Sequence, residues 1–374
     1  MKKILVISLM VALVIGGYLM FTTVDSKTPI ATAAKKMYSG TLYVAGMGGH
    51  FAVADVTIDP NNTDQPIKVN DLNMISIGDK TTHPTHDPRI DVNDRNVMYW
   101  STYKLDPEGN LHVGKSDLKT GNVIQDVAFK KPERAVWTGA NYCASGQTKT
   151  SYIAVSMANE GYIDVYDKSS MKLKHRVFVD ALAEDKSCAD ITSGTYTFAH
   201  GTNTPDMKAF LLTLNKTPDG HTKWTGNTEL VLLDMAALEN GKLKVLARNT
   251  ITGVAGKTIT FRQYYSSDGK LLFQSGADRG YMIDAKTLKV LDEISEISGE
   301  NHDIIPTPDN KYAVMTLRQT IKDKEGKDIK DGTLQLYDIE AKKVIGKSTS
   351  VCYACHENVG KGNAILCGIE ANWK

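Results

Sequence analysis

Thr307-Pro308-Asp309-Asn310-Lys311-Tyr312-Ala313-Val314 is a turn running into a short apolar strand, and Leu334-Gln335-Leu336-Tyr337-Asp338 is an alternating strand closed by an aspartate. The closed strand recurs through the chain. Copies stand at Phe51-Ala52-Val53-Ala54-Asp55, Ile163-Asp164-Val165-Tyr166-Asp167, Leu230-Val231-Leu232-Leu233-Asp234 and Tyr281-Met282-Ile283-Asp284, with a weaker one ending at Asp117. The closing aspartates are 62, 50, 67, 50 and 54 residues apart. The turn element recurs upstream of most copies, at Thr204-Pro205-Asp206 and Ser267-Asp268-Gly269.

Four short strands in each period of about 50 residues predict an all-β single domain. A lone four-stranded sheet cannot bury both faces, so the sheets stack around an axis as a β-propeller of antiparallel blades. Strands near Leu42–Val44 and Phe51–Val53 lack an innermost partner, while the tail from Cys352 to Trp373 reads as an innermost pair without outer strands. Joining the two ends closes the ring and removes exposed sheet edges. Length over period favours seven blades; the six closing aspartates support six.

With 41% hydrophobic and 23% charged residues, the 374-residue chain has ordinary globular composition, which excludes disorder and a multi-span membrane protein. Its 44 Lys+Arg against 43 Asp+Glu supply no field for a phosphate backbone, so nucleic acid is not an expected partner. Met1-Lys2-Lys3 followed by the apolar run Ile4–Phe21 predicts export. Residues 1–34 are expected to be a signal peptide, cleaved near Ala31-Thr32-Ala33, or a membrane anchor, and 35–374 the periplasmic body.

Alternation of the Thr307–Val314 turn and strand with Leu334–Asp338 resembles the YVTN-type redox propellers. That group includes the methylamine dehydrogenase heavy chain, the cytochrome d1 domain, the nitrous oxide reductase propeller and the hydrazine synthase β subunit. The resemblance implies a scaffold shared by periplasmic redox proteins and leaves the reaction open. It also implies partners: other periplasmic redox subunits or cytochromes, as part of a multi-subunit oxidoreductase. A cofactor-free propeller that organises haem-bearing partners, as the hydrazine synthase β subunit would imply, is the second expectation.

Two sets of residues carry chemistry. In Cys352-Tyr353-Ala354-Cys355-His356, two thiols can add to the vinyl groups of a haem c and the adjacent imidazole can ligate its iron. A disulfide permitted by an oxidising compartment, or an accidental spacing in a structural tail, reads the same residues without haem. In the second set, His86, Cys143, His200 and His302 each precede the next strand by about ten residues, and Arg262 holds that place in another repeat. Matched positions on innermost strands converge on the channel, where imidazole and thiol can bind copper, iron or zinc. Polar residues there can also bond only to loop backbone or trapped water.

His50 and His83 are expected as additional ligands or loop residues, and His83 with His86 looks loosely like part of the histidine-rich copper cluster of the nitrous oxide reductase propeller. Cys143, Arg262 and Tyr353 stand where that pattern expects histidines. His112, His175 and His221 lie in polar stretches and are expected to be solvated, and Cys143–Cys188 is a conceivable bridge. No nucleophile elbow, phosphate loop or H-E-x-x-H motif supports a hydrolase.

Overall fold

Short alternating strands leave one route to burial, and the chain takes it: six four-stranded antiparallel sheets, each stacked on the next. The computed structural model describes residues 34–374 apart from 47, 136–140, 220–222, 323–324 and 352–365. Blade 1 contains β1 (Tyr38–Gly46), β2 (His50–Ile58) and β3 (Ile67–Ser76). Blade 2 contains β4 (Thr85–Ile90), β5 (Val97–Thr102), β6 (Asn110–Asp117) and β7 (Val123–Lys130). Blade 3 contains β8 (Tyr142–Gln147), β9 (Ser151–Ser156), β10 (Tyr162–Asp167) and β11 (Leu173–Phe178). Blade 4 contains β12 (Tyr196–Asn203), β13 (Ala209–Lys216), β14 (Asn227–Asp234) and β15 (Val245–Thr252). Blade 5 contains β16 (Thr260–Tyr265), β17 (Leu271–Gly276), β18 (Arg279–Asp284) and β19 (Val290–Ile294). Blade 6 contains β20 (Glu300–Pro306), β21 (Tyr312–Lys322), β22 (Asp328–Asp338) and β23 (Lys343–Ser350). The C-terminal β24 (Leu366–Trp373) pairs with β1 as the innermost strand of blade 1.

The ends therefore close the ring as expected: β24 is the innermost strand on β1, and the rest of the expected tail pair, 352–365, lies outside the described residues. Of the two blade counts, six holds. Length over period overshoots because some repeats are long: the 67-residue spacing from Asp167 to Asp234 takes in the 3-10 turns Val179–Glu184 and Lys186–Cys188 without adding a blade.

Most of the closing aspartates turn the outer hairpin. Asp117, Asp284 and Asp338 accept hydrogen bonds from backbone N–H groups two or three residues on, as do Asp167 and Asp234. This is the Asx turn that lets a short carboxylate stand in for a backbone acceptor. In blade 1 the role belongs to Asp59, which accepts from Asn61 N at 3.0 Å. Asp55 lies inside β2, where it takes the Thr41 hydroxyl at 2.5 Å.

Each pair of neighbouring blades shares an apolar core, from Phe51, Met98 and Trp100 between blades 1 and 2 round to Leu42, Val314 and Leu336 between blades 6 and 1. Six such cores around six sheets leave no blade with an uncovered face. The inner strands touch one another in circular order, β24, β4, β8, β12, β16, β20 and back to β24.

Candidate metal centre

Every inner strand slips out of register with its neighbour at one level. The extra residues are His86 in β4, Cys143 in β8, Phe198 and Ala199 in β12, Phe261 and Arg262 in β16, His302 in β20, and Cys367 and Gly368 in β24. A β-bulge bends the strand and re-aims the side chain it carries. The bulges of blades 2 to 6, at matched positions, set a girdle of re-aimed residues around the axis.

The structure brings three of the four expected channel ligands together. His86 Nδ1 lies 3.2 Å from Cys143 Sγ, and Cys143 Sγ lies 3.9 Å from His302 Nε2. One donor atom from each of the three residues falls within 4.8 Å of the others, and all three residues are buried. An ion about 2.0 Å from nitrogen and 2.3 Å from sulfur would hold an N and an S donor roughly 3.5–3.7 Å apart. The two observed separations straddle that value.

His200 stands aside. Its Nδ1–H donates to Phe198 O at 2.8 Å, and its buried Nε2 has no hydrogen-bond partner among the described residues. The bulge in its blade falls on Phe198 and Ala199, so the imidazole follows the re-aimed position instead of occupying it. The conceivable bridge between Cys143 and Cys188 is not formed. Cys352, Cys355 and His356 lie outside the described residues.

Burial sets the protonation of the girdle. It holds the His86 imidazole well below its ordinary value and brings His200 down to about 4. Both rings are therefore neutral at pH 7, the form that ligates. His302 Nδ1–H donates to Asp303 Oδ2 at 2.8 Å, which turns Nε2 toward Cys143. Asp303, pushed up to about 6 by burial, is also bonded to the Thr316 hydroxyl at 3.2 Å. A carboxylate behind an imidazole is the usual support of a metal-binding histidine. His86 is braced differently, stacked on Tyr103 with ring centres 3.8 Å apart.

The three donors open onto a cavity of about 340 Å³. Phe198, Phe261, Trp224 and Met157 wall it, and Lys257, Glu300 and Arg318 bring charge to it. Phe261 stacks on His302 at 4.7 Å, and Met157 packs in one cluster with Cys143. Met157, Trp224 and Tyr103 do not follow the repeat pattern: Met157 and Trp224 lie between strands, Tyr103 just past the end of β5. Sequence periodicity therefore gave no signal for them.

Beneath the donors lies a second tier built of charge. The guanidinium of Arg262, 1% exposed, reaches Asp87 Oδ1 at 3.0 Å and Asp303 Oδ1 at 3.4 Å, and donates to Tyr264 Oη at 2.8 Å. Burial works to lower its pKa, yet Tyr264, Asp87 and Asp303 lift it above the ordinary arginine value. Tyr264 donates in turn to Ile369 O of β24, and Glu370 of the same strand accepts from Ile90 N at 3.1 Å. The charged tier thus ties the closing strand to blades 2 and 5.

Outside the channel, His83 lies in a loop as one expectation allowed, while His112 and His175 depart from the solvated reading. His83 does not join His86: its Nε2 lies 3.0 Å from Asp126 Oδ2. His112 is buried, not solvated, with Nδ1 2.9 Å from Asp126 Oδ1 and Nε2 3.2 Å from Asp106 Oδ2. His175 is half-buried, His50 is buried beside Gly48 O at 3.2 Å, and His221 lies outside the described residues.

No family model and no curated protein sequence matches this chain. Solved structures do. A chain of a nidogen/laminin complex aligns with a TM-score of 0.54 at 12% identity, covering 89% of this chain and 98% of its own. A Bacteroides caccae protein of unknown function aligns at 0.51 and 11% identity, with the same 89% and 98% coverage. At such identity the likeness shows the propeller fold alone. Function has to be argued from the site.

Proposed function

We propose that the channel mouth binds one transition-metal ion through His86, Cys143 and His302, and that the protein serves as an exported redox propeller of the kind its repeats resemble. The observation that carries this reading is the convergence of two imidazole nitrogens and a thiol from three blades within 4.8 Å. Two nitrogens and one thiolate with a thioether nearby form the donor set that suits copper, and Met157 supplies the thioether in the same cavity. Asp303 behind His302 and Tyr103 against His86 hold the rings in place before any ion arrives. The apolar walls exclude water from an ion there, while Lys257, Glu300 and Arg318 give a small polar molecule or a partner's surface charges to meet. The Ile4–Phe21 run supports an exported site of action.

Metal analysis of the purified full chain tests the proposal. The expected result is about one equivalent of copper, with a visible thiolate-to-copper absorption that Cys143→Ser abolishes and His86→Gln or His302→Gln diminishes. Copper binding far below one equivalent, or unchanged by Cys143→Ser, overturns it. A colourless, metal-free chain that copurifies with coloured subunits would return the function to the organising scaffold. The same preparation decides the haem expectation at Cys352, Cys355 and His356: covalent haem raises the chain mass and gives a Soret band that survives acid–acetone extraction.

A further inference from the structure

A second set of metal-type donors lies on blade 2, away from the channel and built from different elements. Asp126 on β7 sits directly across from Gly114 of β6 and diagonally from His112, so His112 and Asp126 share a face of the sheet. Gly114 is required there: a Cβ would come within 2.2 Å of the Trp100 ring. Trp100 is fully buried, and His83 stands edge-on to it with ring centres 5.7 Å apart. The loop between β3 and β4 thus lays His83 over the outer half of blade 2. Gly78 leaves room for the imidazole, since a Cβ would meet His83 Nδ1 at 2.2 Å.

Three ligand-type atoms converge as a result. His83 Nε2 and His112 Nδ1 each face one oxygen of Asp126, at 3.0 and 2.9 Å, and the rings lie 4.3 Å apart. One donor atom from each of the three residues falls within 4.8 Å of the others. The outward nitrogens are already engaged. His112 Nε2 lies 3.2 Å from Asp106 Oδ2, and His83 Nδ1 lies 2.8 Å from Thr82 Oγ1. Bonding of the outer ring nitrogen to a carboxylate or other acceptor is what fixes the tautomer of a metal-binding histidine and aims its remaining lone pair. Here both histidines have it, and their inner nitrogens, each bonded through N–H to an oxygen of Asp126, face the same carboxylate.

Charge and donor type select the ion. Asp106 and Asp126 bring two negative charges beside two imidazoles, which a divalent cation neutralises. Two nitrogens and one carboxylate oxygen suit zinc, with water completing a tetrahedron on the side of Asp126, whose side chain is 33% exposed. We infer that His83, His112 and Asp126 form a zinc site, with Asp106 as the positioning residue behind His112. Binding replaces both N–H···O contacts with Asp126: the His112 Nδ1 proton leaves to solvent, and the His83 Nε2 proton leaves while Nδ1 takes one up and donates it to Thr82 Oγ1.

The site also has a mechanical consequence. His83 lies three residues before His86, and Tyr103 N donates to Pro84 O at 2.6 Å between them. An ion held by β6, β7 and His83 pins the segment that delivers His86 to the channel.

Zinc titration of the chelator-stripped full chain, followed by calorimetry and thermal unfolding, tests the site independently of the channel. Cys143→Ser is expected to retain one zinc equivalent and a zinc-dependent rise in the unfolding midpoint. His83→Gln, a loop substitution outside the blade strands, is expected to lose both when added to Cys143→Ser. Asp106→Asn, which touches no ion, is expected to weaken zinc affinity by about 10–100-fold. Retention of the full zinc stoichiometry and midpoint rise in the chain carrying both substitutions overturns the site, as does the absence of any zinc effect on the Cys143→Ser chain. Failure of copper to bind at the channel leaves these outcomes unaltered.

Discussion

The two tiers of the channel solve the same problem in opposite ways. The upper tier gathers three ligand-type atoms, from His86, Cys143 and His302, the set proposed to take a cation. The tier below gathers the carboxylates of Asp87 and Asp303 around a cation that the chain supplies itself, the guanidinium of Arg262. Asp303 belongs to both, bonded to His302 above and paired with Arg262 below. The contrast teaches that carboxylates buried together in a propeller channel demand a counter-charge, which Arg262 supplies at the floor, whereas a mouth lined by imidazole and thiol has no such built-in cation.

The largest expected effect is on the floor. Arg262→Met strands two buried carboxylates without a partner, and breaking a buried pair from one side typically costs about 3–5 kcal/mol. Urea unfolding should show a loss of that size; a loss below about 1 kcal/mol would erase the distinction between the tiers. Gly368→Ala attacks the same floor sterically, since a Cβ there would stand 1.7 Å from Arg262 Nη1 and 2.5 Å from His86 O. Overpacking of this kind typically costs about 1–3 kcal/mol, and here it should also lower the copper stoichiometry by shifting His86.

An ion network on the blade exterior sharpens the comparison through pH. Glu229 on β14 lies 2.8 Å from Arg248 Nε and 2.9 Å from Lys216 Nζ. Burial pushes its carboxyl up, but the two cations outweigh that and hold it below its ordinary value of 4.5. A carboxylate lowered in the folded state stabilises the fold above its unfolded pKa, and that stability is lost as pH falls from about 4.5 through the folded value. Glu229→Gln should therefore flatten the dependence of the urea midpoint on pH below 4.5. An unchanged slope would show that Glu229 does not contribute to it.

The smallest effect on stability is expected at the mouth. Cys143→Ser exchanges a buried thiol for a hydroxyl of similar size and should change stability by less than about 1 kcal/mol while removing metal. A large loss of stability in the metal-free protein would make Cys143 a structural residue and undo the contrast from the other side.

Much of this architecture was legible in the repeat. The closing aspartates mark the outer hairpins because a short carboxylate must cap each turn, and their number matches the blades even though one of them, Asp55, is displaced by Asp59. The placing of His86, Cys143 and His302 at one level follows from their equal distance to the next strand. The exclusion of His200 does not, because it depends on whether the bulge falls on the histidine or on the two residues before it. His112 misled for a related reason: its flanks are polar, but the loop carrying His83 covers it, and coverage by a distant segment leaves no mark in local periodicity. Tyr103, Met157 and Trp224 were illegible because they come from strand ends and connections, which obey no period.

The matched bulges separate backbone from chemistry. Each inner strand offers one socket whose shape is set by ladder geometry, and the occupants here range from imidazole and thiol to phenyl and guanidinium. A rim made of interchangeable sockets lets point substitutions rewrite what the ring holds without asking any sheet to move, so proteins of the same shape can diverge in chemistry one residue at a time.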